Sequence, residues 1–245
     1  MSLTMNAKRF TQLLVGLGVV FPLLASAQSF EPGVYVTEGG WGTLTIKPAR
    51  RDAQPFDIST IGSNAHTCTL EGDIRNGKAR ISSGMQDQAC IVSFVQKGEA
   101  INVDSQTMEA CRIFCGARAG FANLYFKPSA TCTPLAQTQT RKKFKSLYDK
   151  KAYAEARATL APLLSECGKL LHWLEKAWIR NDLAITLHKL GDLSACRAVL
   201  QPLATDAALT DDELRSNYPP TDAEIYLPAI KATRTNLRLC KAAGK

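Results

Sequence analysis

The 245-residue chain has no Cys-x-x-Cys pair, and its three histidines, His66, His172 and His188, are scattered. Structural zinc sites draw on closely spaced cysteine and histidine pairs, and thioredoxin-type redox centres on Cys-x-x-Cys, so neither chemistry is indicated. There is no Gly-x-Ser-x-Gly elbow, no His-Glu-x-x-His helix and no phosphate-binding loop. The glycine-rich stretch TEGGWGT (37–43) lacks the spacing of a nucleotide fingerprint and reads as a turn beside Trp41. With no such grouping, no catalytic residue, cofactor or metal is assigned, and the chain is expected not to be an enzyme. No nucleic-acid motif is present either. Beyond residue 24 no apolar run is long enough to span a membrane.

What is present begins with MSLTMNAKRFTQLLVGLGVVFPLLASAQ. Lys8 and Arg9 precede an apolar run from Leu13 to Leu24, and Ala25-Ser26-Ala27 supplies small residues before Gln28. This is the layout of a cleaved secretory signal over 1–27, and the run is shorter than the ~20 residues of a spanning helix. The remainder is expected to be exported, with a bacterial periplasm as its compartment. All eight cysteines lie after the signal: Cys68, Cys90, Cys111, Cys115, Cys132, Cys167, Cys196 and Cys240. An even count in an exported chain implies disulfides.

Residues 28–133 read as a disulfide-bridged β-domain. In HTCTLEGDI (66–74), His66, Cys68, Leu70, Gly72 and Ile74 alternate with polar residues, the period of a half-buried strand. His66 on that row reads as a packed core histidine. Asn76-Gly77 follows, a strong hairpin signal, and Lys97-Gly98-Glu99 reads as another tight turn. GTLTIK, FDIST, ACIVSFV, AINVD and GFANLYF are further strand candidates. Some eight short strands predict an antiparallel barrel or sandwich.

Residues 134–245 read as helical and carry an internal repeat at an offset of 40. Arg157 matches Arg197, Leu160 matches Leu200, Pro162 matches Pro202 and Leu163 matches Leu203. A repeat of this length signals stacked helix pairs. The stretch WIRNDLAITLHKLGDLSAC resembles a tetratricopeptide repeat, and the likeness covers about residues 138–204. Ala156 occupies the small position, and Cys196 replaces it in the second copy. A spacing of 40 exceeds that family's usual 34, so the linker around 166–171 must be longer. The resemblance implies a groove that binds peptides or protein surfaces. A last helix is expected to start at a Thr221/Glu224 capping box, to kink or break at Pro228, and to cover the end of the stack. The fold class is thus α+β in two domains.

Five cysteines fall before residue 133 and three after, so at least one bridge crosses the boundary if all pair. In an antiparallel helix pair the start of one helix lies beside the end of the next, which predicts Cys132–Cys167 and Cys196–Cys240. Cys68–Cys90 and a local Cys111–Cys115 then remain. The local bridge requires 111–115 to turn, since extended residues four apart lie about 13 Å distant against a reach of about 7 Å.

The β-half is neutral, with 10 basic and 10 acidic residues, whereas residues 134–245 hold 18 basic and 12 acidic ones. RKKFKSLYDKK (141–151) is the densest part. It reads as a solvated helix face above buried Phe144, Leu147 and Tyr148, or as a docking surface for an acidic partner. The candidate partner-binding residues are Arg141, Lys142, Lys145, Arg180 and Asn181. The expected function is binding of another protein, as an inhibitor or immunity protein against a lysozyme-like enzyme or delivered toxin. An envelope assembly scaffold and a cell-wall-active enzyme are the alternatives.

Overall fold

A computed structural model describes residues 29–82, 84 and 88–241. The predicted signal, 1–27, lies outside the described residues. Among these residues eight strands form one antiparallel sheet: β1 Gly33–Thr37, β2 Gly42–Ile46, β3 Gln54–Ile61, β4 Thr67–Ile74, β5 Lys78–Ile81, β6 Cys90–Lys97, β7 Ala100–Ser105 and β8 Asn123–Phe126. Their spatial order is β4-β3-β2-β1-β8-β7-β6-β5. The two outermost strands, β4 and β5, are consecutive in the chain, so the sheet curls into a nearly closed barrel. Asn76 and Gly77 join them with φ of 50° and 71°. Two successive positive φ values define the turn whose twist matches a hairpin, which is why Asn-Gly stands there. Inward side chains alternate along each strand; in β2, Leu44 and Ile46 are buried while Thr43 and Thr45 are half-exposed. Phe30 and Gln54 seal one end, where the Gln54 amide accepts from Phe30 N (2.8 Å) and donates to Phe30 O (2.6 Å).

The opposite end is closed by the segment that holds Cys111 and Cys115. It coils through a short helix, α1 (Met108–Cys111), and a 3-10 turn at Arg112–Phe114. The predicted turn is therefore present, but the predicted pairing is not. Cys111 bonds Cys90 at the start of β6, and Cys115 bonds Cys68 in β4. These replace Cys68–Cys90 and Cys111–Cys115. The physical reason is the barrel's seam. Cys115 leaves the turn in extended conformation and bridges backbone to Cys68, with Gly116 N–H donating to Thr67 O (2.8 Å). That contact satisfies part of the free edge of β4, and Phe121 and Tyr125 then plug the interior. His66 lies before β4 and is half-buried against Gly116, where a Cβ would come within 2.7 Å of its Nδ1. It is not the core histidine the strand pattern predicts, because the inward row begins at Cys68.

Among the described residues seven helices follow: α2 Pro134–Asp149, α3 Tyr153–Ser165, α4 Trp173–Lys189, α5 Leu193–Leu200, α6 Ala204–Ala208, α7 Asp211–Asn217 and α8 Pro220–Lys241. Thr133 caps α2 by accepting from Ala136 N–H, and Pro134 occupies a first-turn position where its missing N–H costs nothing. The internal repeat is visible bond by bond. Lys151 and Gly191, 40 apart, both have positive φ, 61° and 78°. Ala152 N–H donates to Leu147 O and Asp192 N–H to Leu187 O, each at 3.0 Å, the six-to-one bond that ends a helix through a left-handed residue. Ala156 and Cys196 are both fully buried, as are Leu160 and Leu200. The copies diverge at the proline: α3 continues through Pro162, whereas at Pro202 α5 gives way to a 3-10 turn.

Cys132–Cys167 ties the entry of α2 to the exit of α3, and Cys196–Cys240 ties α5 to the end of α8. α8 packs on α4 and α5 and runs unbroken through Pro228. The Thr221/Glu224 capping box is not formed. The helix starts one residue earlier, Thr221 N–H donates to Asn64 Oδ1, and Glu224 pairs with Arg215. A capping box does form at Thr210/Glu213, at the head of α7. No helix among the described residues is long and apolar enough to cross a membrane.

Candidate functional site: the cleft between barrel and helices

The residues that lengthen the repeat to 40 seat the barrel. Gly39 N–H donates to Lys169 O (2.8 Å), the Lys169 ammonium lies 3.9 Å from the centre of the Phe126 ring, and it approaches Glu38 (3.7 Å). Gly40 has φ +66° and packs so closely that a Cβ would meet His172 N at 2.5 Å and Leu170 O at 2.7 Å. Only glycine combines that dihedral with that approach. Trp41 meets His172 edge-on, with ring centres 4.6 Å apart. A second contact joins Asn64 N–H to Asp222 Oδ2 (2.9 Å), with Ser63 Oγ beside it (3.3 Å). The glycine-rich TEGGWGT is thus a docking loop.

Docking leaves a cleft of about 790 Å³ between the outer face of β1–β2 and the faces of α2 and α4. Val36, Gly40 and Thr43 supply a neutral floor. One wall is α2, with Thr138, Arg141, Lys142 and Lys145; the other is α4, with Glu175 and Asp182. Spacings of three, four and seven place each set on one helix face. Lys145 pairs with Asp149 (2.7 Å), whereas Arg141 and Lys142 enter no ion pair among the described residues. Burial holds the Asp182 carboxyl above the usual carboxylate range, opposed by the positive charge of Arg141. Its carboxylate has no ion pair within 4 Å among the described residues. Tyr148, packed against Phe144 and Tyr153, also has a raised pKa, chiefly from burial.

Three of the five predicted partner-binding residues, Arg141, Lys142 and Lys145, therefore come together in the cleft. Arg180 and Asn181 do not. The Arg180 guanidinium donates to Val199 O (3.0 Å), and burial lowers its pKa. Asn181 is 3% exposed; its amide donates to Ala177 O, Ala229 O and Thr233 Oγ1, and its Oδ1 accepts from Asn236. These bonds pin α8 to α4, a structural role that removes Asn181 from any surface. Nothing in the residues adjacent to Glu175 and Asp182 marks them as cleft residues. The signal that could have found them is the repeat, since Asp182 stands 40 residues after Lys142.

His172 Nε2 and His188 Nδ1 are buried without a hydrogen-bond partner among the described residues. Burial depresses the His172 pKa, with Glu175 and Asp222 opposing it. Trp173 belongs to a separate cluster with Tyr218 and Tyr226, whose hydroxyls both donate to Asp206 Oδ2 at 2.8 Å. Against known proteins, the chain matches no family model, no curated sequence and no solved structure.

Proposed function

We propose that the protein is exported into an oxidising periplasm and works there by binding a segment of another protein in the cleft between barrel and helices. The observation that carries this reading is the cleft itself. Both halves of the chain contribute to it, and Arg141, Lys142 and Asp182 on its walls enter no ion pair among the described residues. Its volume falls in the range of ordinary ligand sites. The four disulfides fit an oxidising compartment. Two helical repeats alone are fewer than such arrays usually need, and the barrel with its staples supplies the missing support. The tetratricopeptide likeness of 138–204 is consistent with peptide binding along α2 and α4. A rigid, stapled receptor of this kind suits an inhibitor or immunity protein; an envelope scaffold is the second reading.

The test fills the cleft. Thr43→Trp and Thr138→Trp each place an indole in it, whereas Thr159→Trp on α3 lies outside. Affinity capture from periplasmic extract should recover a partner with the wild type and Thr159→Trp, and lose it with the other two. Retention by both cleft variants would refute the reading. A single partner held at a fixed ratio identifies an inhibitor, and several weak ones a scaffold.

A further inference from the structure

The two walls of the cleft differ in sign. On α2, Arg141 and Lys142 are without acidic partners within 4 Å, while on α4 Glu175 and Asp182 are without basic ones, among the described residues. The repeat makes the contrast sharper: Lys142 and Asp182 occupy equivalent register positions in the two copies, so one copy presents a cation where the other presents an anion. The positive charge of Arg141 acts on Asp182 yet lies beyond ion-pair distance. A half-buried carboxylate without a charged donor calls for one from outside, because its desolvation is otherwise uncompensated. The floor between the walls, Val36, Gly40 and Thr43, carries no charge.

From this we infer that the cleft takes an extended polypeptide segment with acidic side chains along one side and basic side chains along the other. In an extended chain successive side chains point to opposite sides, so simple alternation of acidic and basic residues produces such a ribbon. Its acidic side meets Arg141 and Lys142 on α2; its basic side meets Asp182 and Glu175 on α4. A uniformly acidic segment satisfies one wall and is repelled by the other. The inference rests on the reading of the cleft as the binding site and specifies its ligand.

The probe is acetyl-EKEKEK-amide, followed by amide shift perturbation in the labelled full-length protein at low salt. Acetyl-EEEKKK-amide, of equal composition, and the all-Glu and all-Lys hexamers are controls. The alternating peptide should shift residues of α2, α4 and β2, and bind roughly tenfold more tightly than any control, the size of one charge-assisted contact. Asp182→Lys and Lys142→Glu should each weaken it about tenfold. Unchanged backbone spectra of the free variants keep folding out of the comparison. Equal binding of the alternating and blocked peptides, no binding of either, or unchanged binding in both charge-reversed variants overturns the inference. Loss of the natural partner in the indole-filled variants, with no preference among peptides, would leave the cleft as the binding face and remove only its charge rule.

Discussion

Substituting Gly40 by alanine should undo the seating of the barrel on the helices. Two effects add. At φ +66° a side chain costs about 1–2 kcal/mol from the clash of Cβ with its own backbone. The new methyl also meets His172 N and Leu170 O at 2.5 and 2.7 Å, both backbone atoms at the head of α4 that cannot rotate away. Relief requires the loop to lift. That breaks the Gly39 N–H to Lys169 O bond, worth about 1 kcal/mol, and parts Trp41 from His172. A total near 3 kcal/mol lowers the melting temperature by roughly 6–12 °C in a chain of this size. Gly98→Ala is the control: its φ is +60°, but a Cβ there meets nothing within 4 Å. Thermal unfolding followed by circular dichroism should separate the two, with Gly98→Ala losing only the dihedral term. Solution scattering should show a larger radius of gyration for Gly40→Ala alone. Equal loss in both variants, with no change in shape, would refute the docking argument.

Other outcomes follow from the same structure. Peptide mapping of the unreduced protein should yield Cys68 joined to Cys115 and Cys90 to Cys111; fragments pairing Cys68 with Cys90 would contradict the barrel closure. Replacing both Cys132 and Cys167 by alanine reopens a loop spanning 35 positions and should cost about 4 kcal/mol in urea unfolding. No loss would mean that the helix pair holds without its staple. His172 has a depressed pKa in the folded state, chiefly from burial. Its stability contribution is present above the unfolded value near 6.5 and is lost as pH falls below it. Acidification from pH 8 to 5 should therefore destabilise the wild type more than His172→Phe, read as the difference in urea midpoints; parallel curves would show that His172 is not buried at the interface.

Much of the architecture is legible in local pattern. The period of two in β4 and the Asn76-Gly77 turn are properties of a few adjacent residues, and the structure follows them. The repeat is legible because Leu160 and Leu200 do the same job in the same local frame. Burial of Phe144 against the other helices follows from the same periodicity. What was hidden is non-local. The partners of Cys111 and Cys115 depend on where a seam falls when eight strands close, and spacing along the chain carries no record of that. β1 and β5 are short and gave little alternation to read. Thr221 looked like a cap because its spacing to Glu224 fits, but Asn64, 157 positions away, takes its N–H. In the cleft, the basic wall is visible as a charge run, whereas Asp182 is one acid among many until α4 is set opposite α2. Asn181 looked available next to Arg180, and only the packing of α8 shows it spent.

The most direct measurement is photo-cross-linking in cells. A photoreactive amino acid at Lys142, facing the cleft, is compared with one at Glu155 on the outer side of α3. Covalent adducts with another protein should form from position 142 and not from 155. Adducts from 155 alone would place the working surface on the opposite side of the helices and contradict the account.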